Sequence, residues 1–295
     1  MSASLILQAA LSGLTNGFVY ALIGLGIAVI FKGSRIINAM QGEFAVMGAL
    51  VTVFALQTLQ VPYLLAMGGG IVLGAVSGWV IDVLFVRPMT RRGANEESFL
   101  LLTIGLAVTL SAATLYFGGR DTHMLPGFGG SDVMEFMGAT LPYHAAWLMG
   151  IAVLVVVALR YFFTQTLMGL AMSAASADPD GATTTGIHVG RMRSYTFLLG
   201  GSIGALAGIL VTPLIGMNYH MGIALTLKGF AAAILGGLVN PLGAVVGGVV
   251  MGLLESLAVV GVSSGYKDVI SLGILIVIMI VMPNGILGRA GRVGG

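Results

Sequence analysis

The sequence predicts an all-α polytopic membrane protein of eight to nine transmembrane helices, with a broken or re-entrant segment near residues 227–241 and a short helix near 169–187. Three observations carry that reading. Hydrophobic residues make up 57% of the chain and charged residues only 8%, against roughly 25% charged residues in a soluble domain; the mean hydropathy is +1.03. Apolar runs approaching the roughly 20 residues of one helical crossing recur along the whole length. The 46 glycines supply the small contact surfaces that helices need in lipid, where no hydrophobic force drives them together. The chain, 1–295, reads as one transmembrane domain.

The expected crossings are Leu5–Phe31, Phe44–Leu59, Tyr63–Val86, Phe99–Phe117, His144–Phe163, Tyr195–Met217, Leu242–Val262 and Val269–Met282. The first is too long for a signal-peptide core and lacks a basic residue before it, so it reads as a retained helix. A ninth apolar piece, about 13 residues ending at Asn240-Pro241, is too short to span straight through. Irregular backbone is expected there, buried in protein because unpaired backbone cannot face lipid, and segments of that kind often line a substrate path. A gapped likeness between Gly42–Val51 and Gly229–Val239 points to an inverted repeat, although glycine-rich helices also resemble one another by composition. Small residues at four-residue spacing (Gly13 with Gly17, Gly200 with Gly204 and Gly208, Gly243 with Gly247) mark helix-packing faces.

Orientation follows from the basic residues, which collect in short cytoplasmic loops. With the N-terminus outside, the cytoplasm receives Lys32, Arg35, Arg87, Arg91, Arg92, Arg160, Arg191, Arg193, Arg289 and Arg292, ten of the thirteen. The loop 118–143 then lies outside and the loop 164–193 inside. That inner loop is the longest stretch no bilayer would hold. It reads as an Ala-rich helix stopped at Asp178-Pro179, followed by a return to the membrane through Gly186, and so as a docking surface.

Several polar residues sit where polarity is costly. Asn16 and Tyr20 share a helix face and line either a cavity or an interhelical hydrogen bond. Asn38, Gln41 and Glu43 precede an apolar run, where they either face a pathway or cap a helix; Thr103 poses the same choice. Glu255 lies well inside its crossing, so it must pair, protonate or meet water, with Lys228 or Lys267 as the candidate partner. Asp82, near Arg87, reads as interfacial.

The composition and motifs exclude other classes. There is no cysteine, the four histidines lack metal-ligand spacing, and no metal site or nucleic-acid surface is expected. Neither a phosphate-cradling Gly-x-x-x-x-Gly-Lys loop nor a Ser/His/Asp or His-Glu-x-x-His arrangement occurs, so no catalytic residues are expected.

The run Gly13-Leu-Thr-Asn-Gly-Phe-Val-Tyr-Ala-Leu-Ile-Gly-Leu-Gly and the run Arg35-Ile-Ile-Asn-Ala-Met-Gln-Gly-Glu-Phe-Ala closely resemble the opening of LivH-type permeases, membrane subunits of branched-chain (hydrophobic) amino acid ABC importers. The likeness continues through Val86-Arg-Pro-Met, Lys228-Gly-Phe-Ala-Ala-Ala-Ile-Leu-Gly-Gly, Gly252-Leu-Leu-Glu-Ser, Ser264-Gly-Tyr-Lys-Asp and Pro283-Asn-Gly-Ile-Leu-Gly, nearly the whole chain. The resemblance implies a multi-pass subunit of the bacterial inner membrane that forms the translocation path as a heterodimer with a second, LivM-type permease. It implies two ABC ATPase subunits, an extracytoplasmic solute-binding protein and surrounding lipid as partners. No cofactor is expected on this chain itself, ATP being hydrolysed by the partner subunits. The loop Gly169–Ile187 becomes the element coupled to the ATPase, with Ala174, Asp178, Ala182, Gly186 and Ile187 matching the family pattern. Leu170 and Ser173 stand where the family usually carries basic residues, which favours apolar insertion over electrostatic docking. Branched-chain amino acids are the solute the resemblance implies; urea, short amides and carboxylates stay open. The rival readings are a stand-alone ion-coupled transporter or channel centred on Glu255, and a scaffold subunit without its own path.

Overall fold

The computed structural model describes residues 3–130, 132–238 and 240–261, together with Val269, Gly273, Ile276, Val277, Ile280, Gly285 and Ile286. Its helices are α1 (Ala3–Ser34), α2 (Gln41–Gln57), α3 (Tyr63–Ile81), α4 (Arg87–Arg91), α5 (Glu96–Gly118), α6 (Tyr143–Gln165), α7 (Leu167–Ala177), α8 (Pro179–Thr184), α9 (Val189–Ile215), α10 (Met221–Gly236) and α11 (Pro241–Gly261). Among the described residues, six helical stretches are long and apolar enough to cross a membrane: α1, α3 continued through α4, α5, α6, α9 and α11; α2, α7 and α10 are shorter apolar helices. Most of the expected crossing Val269–Met282, the candidate partner Lys267 and the basic tail Arg289–Arg292 lie outside the described residues.

The bundle is built around α1, which packs on α11, α9 and α10. The packing is glycine to backbone. Gly13 and Gly17 lie against Gly252 and Gly248–Val249 of α11, and Gly24 against the Gly229 carbonyl of α10. Gly204 and Gly208 of α9 sit on Phe44 and Ala45 of α2, while Gly243 and Gly247 of α11 meet Gly236 and Ala232 of α10. The small-residue stripes therefore sit at helix crossings, where a side chain would hold the backbones apart. By contrast α3, α5 and α6 expose Leu65, Val72, Leu101, Val108, Leu154 and Val157, an apolar outer surface suited to lipid.

Two places depart from regular helix inside this core. Between α1 and α2, Arg35 takes a left-handed conformation (φ 58°), and the non-helical stretch Ile36–Met40 runs back into the protein, with Asn38 and Met40 fully buried. Side chains satisfy its backbone. Asn38 Oδ1 accepts from the Met40 N–H (3.1 Å), and Thr103 Oγ1 accepts from the Ala39 N–H and donates to the Ile37 carbonyl (3.2 Å each). The second break follows α10. Gly237 (φ 89°) ends that helix, and Pro241, with no N–H to lose, opens α11. Among the described residues of 227–241, Gly237, Leu238 and Asn240 are irregular, and 227–236 is regular, mostly buried helix.

Three further features correct or extend the sequence reading. The loop 118–143 carries an antiparallel hairpin, β1 (Val133–Phe136) with β2 (Ala139–Pro142), so the fold is not wholly helical. Met137 (φ 49°) and Gly138 (φ 81°) supply its turn, both positive as a two-residue hairpin requires. Asp178-Pro179 stops α7 as expected but also starts α8: the Asp178 carboxylate accepts from the Gly181 N–H (3.0 Å) with Pro179 in the first turn. Asp82, near Arg87 as expected, is fully buried in the protein, in a π-helical turn (Asp82–Val86) where it also pairs with Arg193 of α9. Pro88 accounts for that turn, since it lacks the N–H that would bond back to Leu84 and its ring crowds that carbonyl.

The start of α5 offers a small test of this local chemistry. Asn95 Oδ1 accepts from the Ser98 N–H (3.0 Å), so Asn95→Ala is expected to cost about 1 kcal/mol. Thermal melting of the purified chain reads this as a modestly lower midpoint, with Asn95→Ser close to unchanged.

Candidate functional site

Every fourth residue of the first half of α1 is polar, Gln8, Ser12, Asn16 and Tyr20, and that spacing places all four along one face. The face borders a cavity of about 530 Å³. Its other walls are Leu214 and Ile215 at the end of α9, Met221, Ala224 and Leu225 of α10, and Thr140 to Pro142 of the hairpin. The hairpin is tied to α1 by a reciprocal pair: Gln8 donates to the Thr140 carbonyl (3.1 Å) and accepts from the Thr140 N–H (2.7 Å). One wall is therefore polar, the facing wall is apolar, and the hairpin closes one end.

Lys228 of α10 also lines the cavity, and behind it lies a buried cluster. The Tyr20 hydroxyl donates to Glu255 Oε1 (3.0 Å), and the Lys228 ammonium donates to the Tyr20 oxygen (3.2 Å) and to the same carboxylate oxygen (3.3 Å). Glu255 is fully buried, while the Lys228 side chain is 18% exposed. Of the two partners the sequence offered Glu255, Lys228 is one in the structure, while Lys267 lies outside the described residues. Three helices meet here because α10 runs parallel to α1 and α11 antiparallel to it, as the Gly24/Gly229 and Gly13/Gly252 contacts require. A compensated pair is how such a depth tolerates two charges.

The other expected path residues are elsewhere. Asn38 donates to Gln41 Oε1 (3.0 Å) and Gln41 to the Gly200 carbonyl (2.9 Å), so both brace the Ile36–Met40 stretch together with Thr103. Glu43 is buried in the first turn of α2 against Gly222 of α10, and neither carboxylate oxygen has a hydrogen-bond partner among the described residues. None of these four lines the cavity beside Tyr20.

At the opposite end of α1, α7 packs through Gly169, Met172 and Ala175. Ser176 donates to the Lys32 carbonyl (2.5 Å), and the Lys32 ammonium lies over the Phe163 ring, 4.6 Å from its centre. The far side of α7 is left bare: Leu167, Leu170, Ala174 and Ala177 form an exposed ridge at helical spacing. Asp178 is exposed as it caps α8, Ala182 is buried beneath it, Gly186 (φ 84°) turns the chain and the half-buried Ile187 leads into α9. Beside this element, Arg193 Nε donates to Asp82 Oδ1 (2.6 Å), Ser194 to Asp82 Oδ2 (2.5 Å) and Arg193 Nη1 to Thr90 (2.7 Å), with Arg87 4.0 Å from Asp82. The sequence reading missed this cluster.

Residues 9–279 match the model of a family described as the branched-chain amino acid transport system permease component. The chain belongs to that family. The permease is 32% identical to the high-affinity branched-chain amino acid transport system permease protein LivH of Escherichia coli K12, over 96% of each chain. It is 29% identical to the corresponding protein BraD of Pseudomonas aeruginosa, again over 96% of each. A probable branched-chain amino acid transport permease LivH of Methanocaldococcus jannaschii is 28% identical, over 90% of this permease and 88% of the relative.

Proposed function

We propose that this permease is the membrane subunit of an ATP-driven importer, and that it forms the path for a branched-chain amino acid together with a second permease. Two ATPase subunits energise it and an extracytoplasmic binding protein delivers the solute. The observation that carries the reading is the paired element α7–α8. It is anchored to the end of the most central helix through Ser176 and Lys32, yet it keeps an apolar ridge uncovered. In an ATP-driven importer, a subunit without a phosphate-binding loop of its own receives work from the ATPases, and a bare helix fixed to the bundle core is a means of receiving it. In this reading nine helices cross, counting α2, α10 and the segment near Val269–Met282, with the N-terminus outside and α7–α8 in the cytoplasm. Asn16 and Tyr20 border the path at the outer half, with Glu255 buried behind them, while Asn38, Gln41, Glu43 and Thr103 shape its inner half. The ion-coupled alternative gains little support, because Glu255 is charge-compensated by Lys228 and held by Tyr20.

Substituting the ridge tests the coupling role. Ala174→Arg places a long cation where apolar insertion is expected; uptake should fall to background while the chain still inserts and assembles with the second permease. Wild-type uptake in that variant would remove α7 from the coupling role.

A further inference from the structure

A second cavity, of about 570 Å³, runs between α2, α3 and α5 and shares no described lining residue with the one beside Tyr20. Its lining stops at a similar depth on all three helices. From the end where α2 and α5 finish and α3 begins, it reaches Met47 on α2, eleven residues from Thr58; Leu73 on α3, ten from Tyr63; and Leu110 on α5, eight from Gly118. At a rise of about 1.5 Å per residue these depths are roughly 16, 15 and 12 Å, or about half of a hydrocarbon core some 30 Å thick. Polarity follows the same axis. Gln57, Thr58 and His123 stand at the loop end. Deeper in, buried Val53 forms the floor and exposed Phe54 and Phe117 the rims, while the Thr114 hydroxyl is turned back onto the Ser111 carbonyl of its own helix (2.8 Å).

We propose that this groove is a slot for one acyl chain of a membrane glycerophospholipid, with the ester end at Gln57 and Thr58 and the chain running inward to Met47, Leu73 and Leu110. The inference rests on the chain lying in a bilayer and is independent of the importer reading. The depth of the groove selects the occupant. A transmembrane helix of a partner is at least about 10 Å across and follows the core through its full depth of roughly 30 Å, whereas this groove ends near the middle, where one leaflet ends. Water gains no partners on the apolar walls. At the loop end, the side-chain amide of Gln57 and the hydroxyl of Thr58 are donors suited to ester carbonyls. The groove also adjoins the outer apolar surface: Val72 and Val108 are exposed one and two residues from Leu73 and Leu110. A chain seated between three helices has protein atoms on several sides, and so gains more dispersion contact than loose lipid on an open helix face.

The test separates a slot from ordinary lipid contact. The tagged permease, with the subunits that accompany it, is reconstituted in phosphatidylcholine vesicles containing a small share of phosphatidylcholine that carries a diazirine midway along one acyl chain. After irradiation, labelling is quantified by peptide mass spectrometry at Leu50 and Val51, which line the groove, and at Leu154 and Val157, exposed on α6. Three forms are compared: the unsubstituted chain; Ala113→Phe, which fills the groove from α5; and Ala112→Phe, at the adjacent exposed residue outside it. The expected result is labelling of Leu50 and Val51 that falls at least fivefold in Ala113→Phe, with α6 labelling unchanged and less than a twofold change in Ala112→Phe. If Ala113→Phe is not recovered from membranes, Leu50→Trp fills the groove from α2 and the same fall is expected at Val51. Equal labelling with and without the filling side chain would overturn the proposal. So would an unlabelled groove beside a labelled α6, since protein would then cover it; cross-linking from Val51→Cys, in a chain with no cysteine of its own, would identify that cover. Absence of labelling on α6 as well would instead refute the membrane reading beneath it.

Discussion

Asp82→Ala is expected to destabilise the permease by about 3–5 kcal/mol, the usual cost of leaving one partner of a buried ion pair uncompensated. The Arg193 side chain is only 9% exposed and its carboxylate partner is fully buried. With Asp82 gone, Arg193 keeps Thr90 as an acceptor and loses its counter-ion, while the Ser194 hydroxyl falls back on the Gly190 carbonyl. Arg87 stays with Ser194 and cannot help, since it adds positive charge to the same spot. The measurement is the thermal midpoint of the purified complex together with the amount of chain recovered from membranes, and both should fall sharply. Replacing the pair together, Asp82→Leu with Arg193→Met, should recover most of the loss, because exchanging a buried pair for apolar side chains is often neutral. Equal loss in the double variant would mean that the charges matter for more than burial. Arg193 is the fifth residue of α9 and follows directly on α7–α8. A stable double variant with poor uptake would therefore place the cluster in the transmission of movement from that element to the π turn of α3.

The second large effect concerns packing. A Cβ on Gly208 would overlap the carbonyl oxygen and carbon of Ala45, so α2 and α9 touch backbone to backbone there. Backbone cannot turn aside as a flexible side chain does. Gly208→Val should cost at least the upper end of the roughly 1–3 kcal/mol typical of overpacking, with loss of folded protein. Gly105→Val on α5 is the matched control, because a Cβ there meets nothing within 4 Å. It should leave recovery from membranes and the thermal midpoint close to unchanged. Similar behaviour of the two variants would contradict the account of glycine as the packing device in this bundle.

Much of this arrangement was legible in the sequence because it is written in local patterns. Apolar run length located the helices, the Gly-x-x-x-Gly stripes located the crossings, and the spacing of Asn16 and Tyr20 placed them on one face that the structure opens to a cavity. The burial of Glu255 among apolar neighbours demanded a partner, and Lys228 was one of two in view. What escaped was either non-local or a matter of turn chemistry. Nothing near Asp82 in sequence announces Arg193, which lies 111 residues away, whereas Arg87, the local partner in view, lies 4.0 Å from it and is the weaker contact. Asn38, Gln41 and Thr103 look like path residues or caps from sequence, because the buried non-helical stretch whose backbone they satisfy exists only once it folds back into the core. The hairpin hides in Met137-Gly138, a turn pair weaker in appearance than Asn-Gly. Asp178-Pro179 was read as a stop when the same two residues also make a good start.

The account stands or falls on whether this chain works with ATPases. The most direct measurement is to purify the tagged permease from its native membrane in mild detergent, reconstitute what accompanies it with the neighbouring binding protein, and follow leucine uptake with and without ATP. The predicted result is recovery of a second permease and two ATPase subunits, with uptake that requires ATP and is stopped by vanadate. Recovery of the chain alone, accumulating solute under a proton or sodium gradient without ATP, would contradict it.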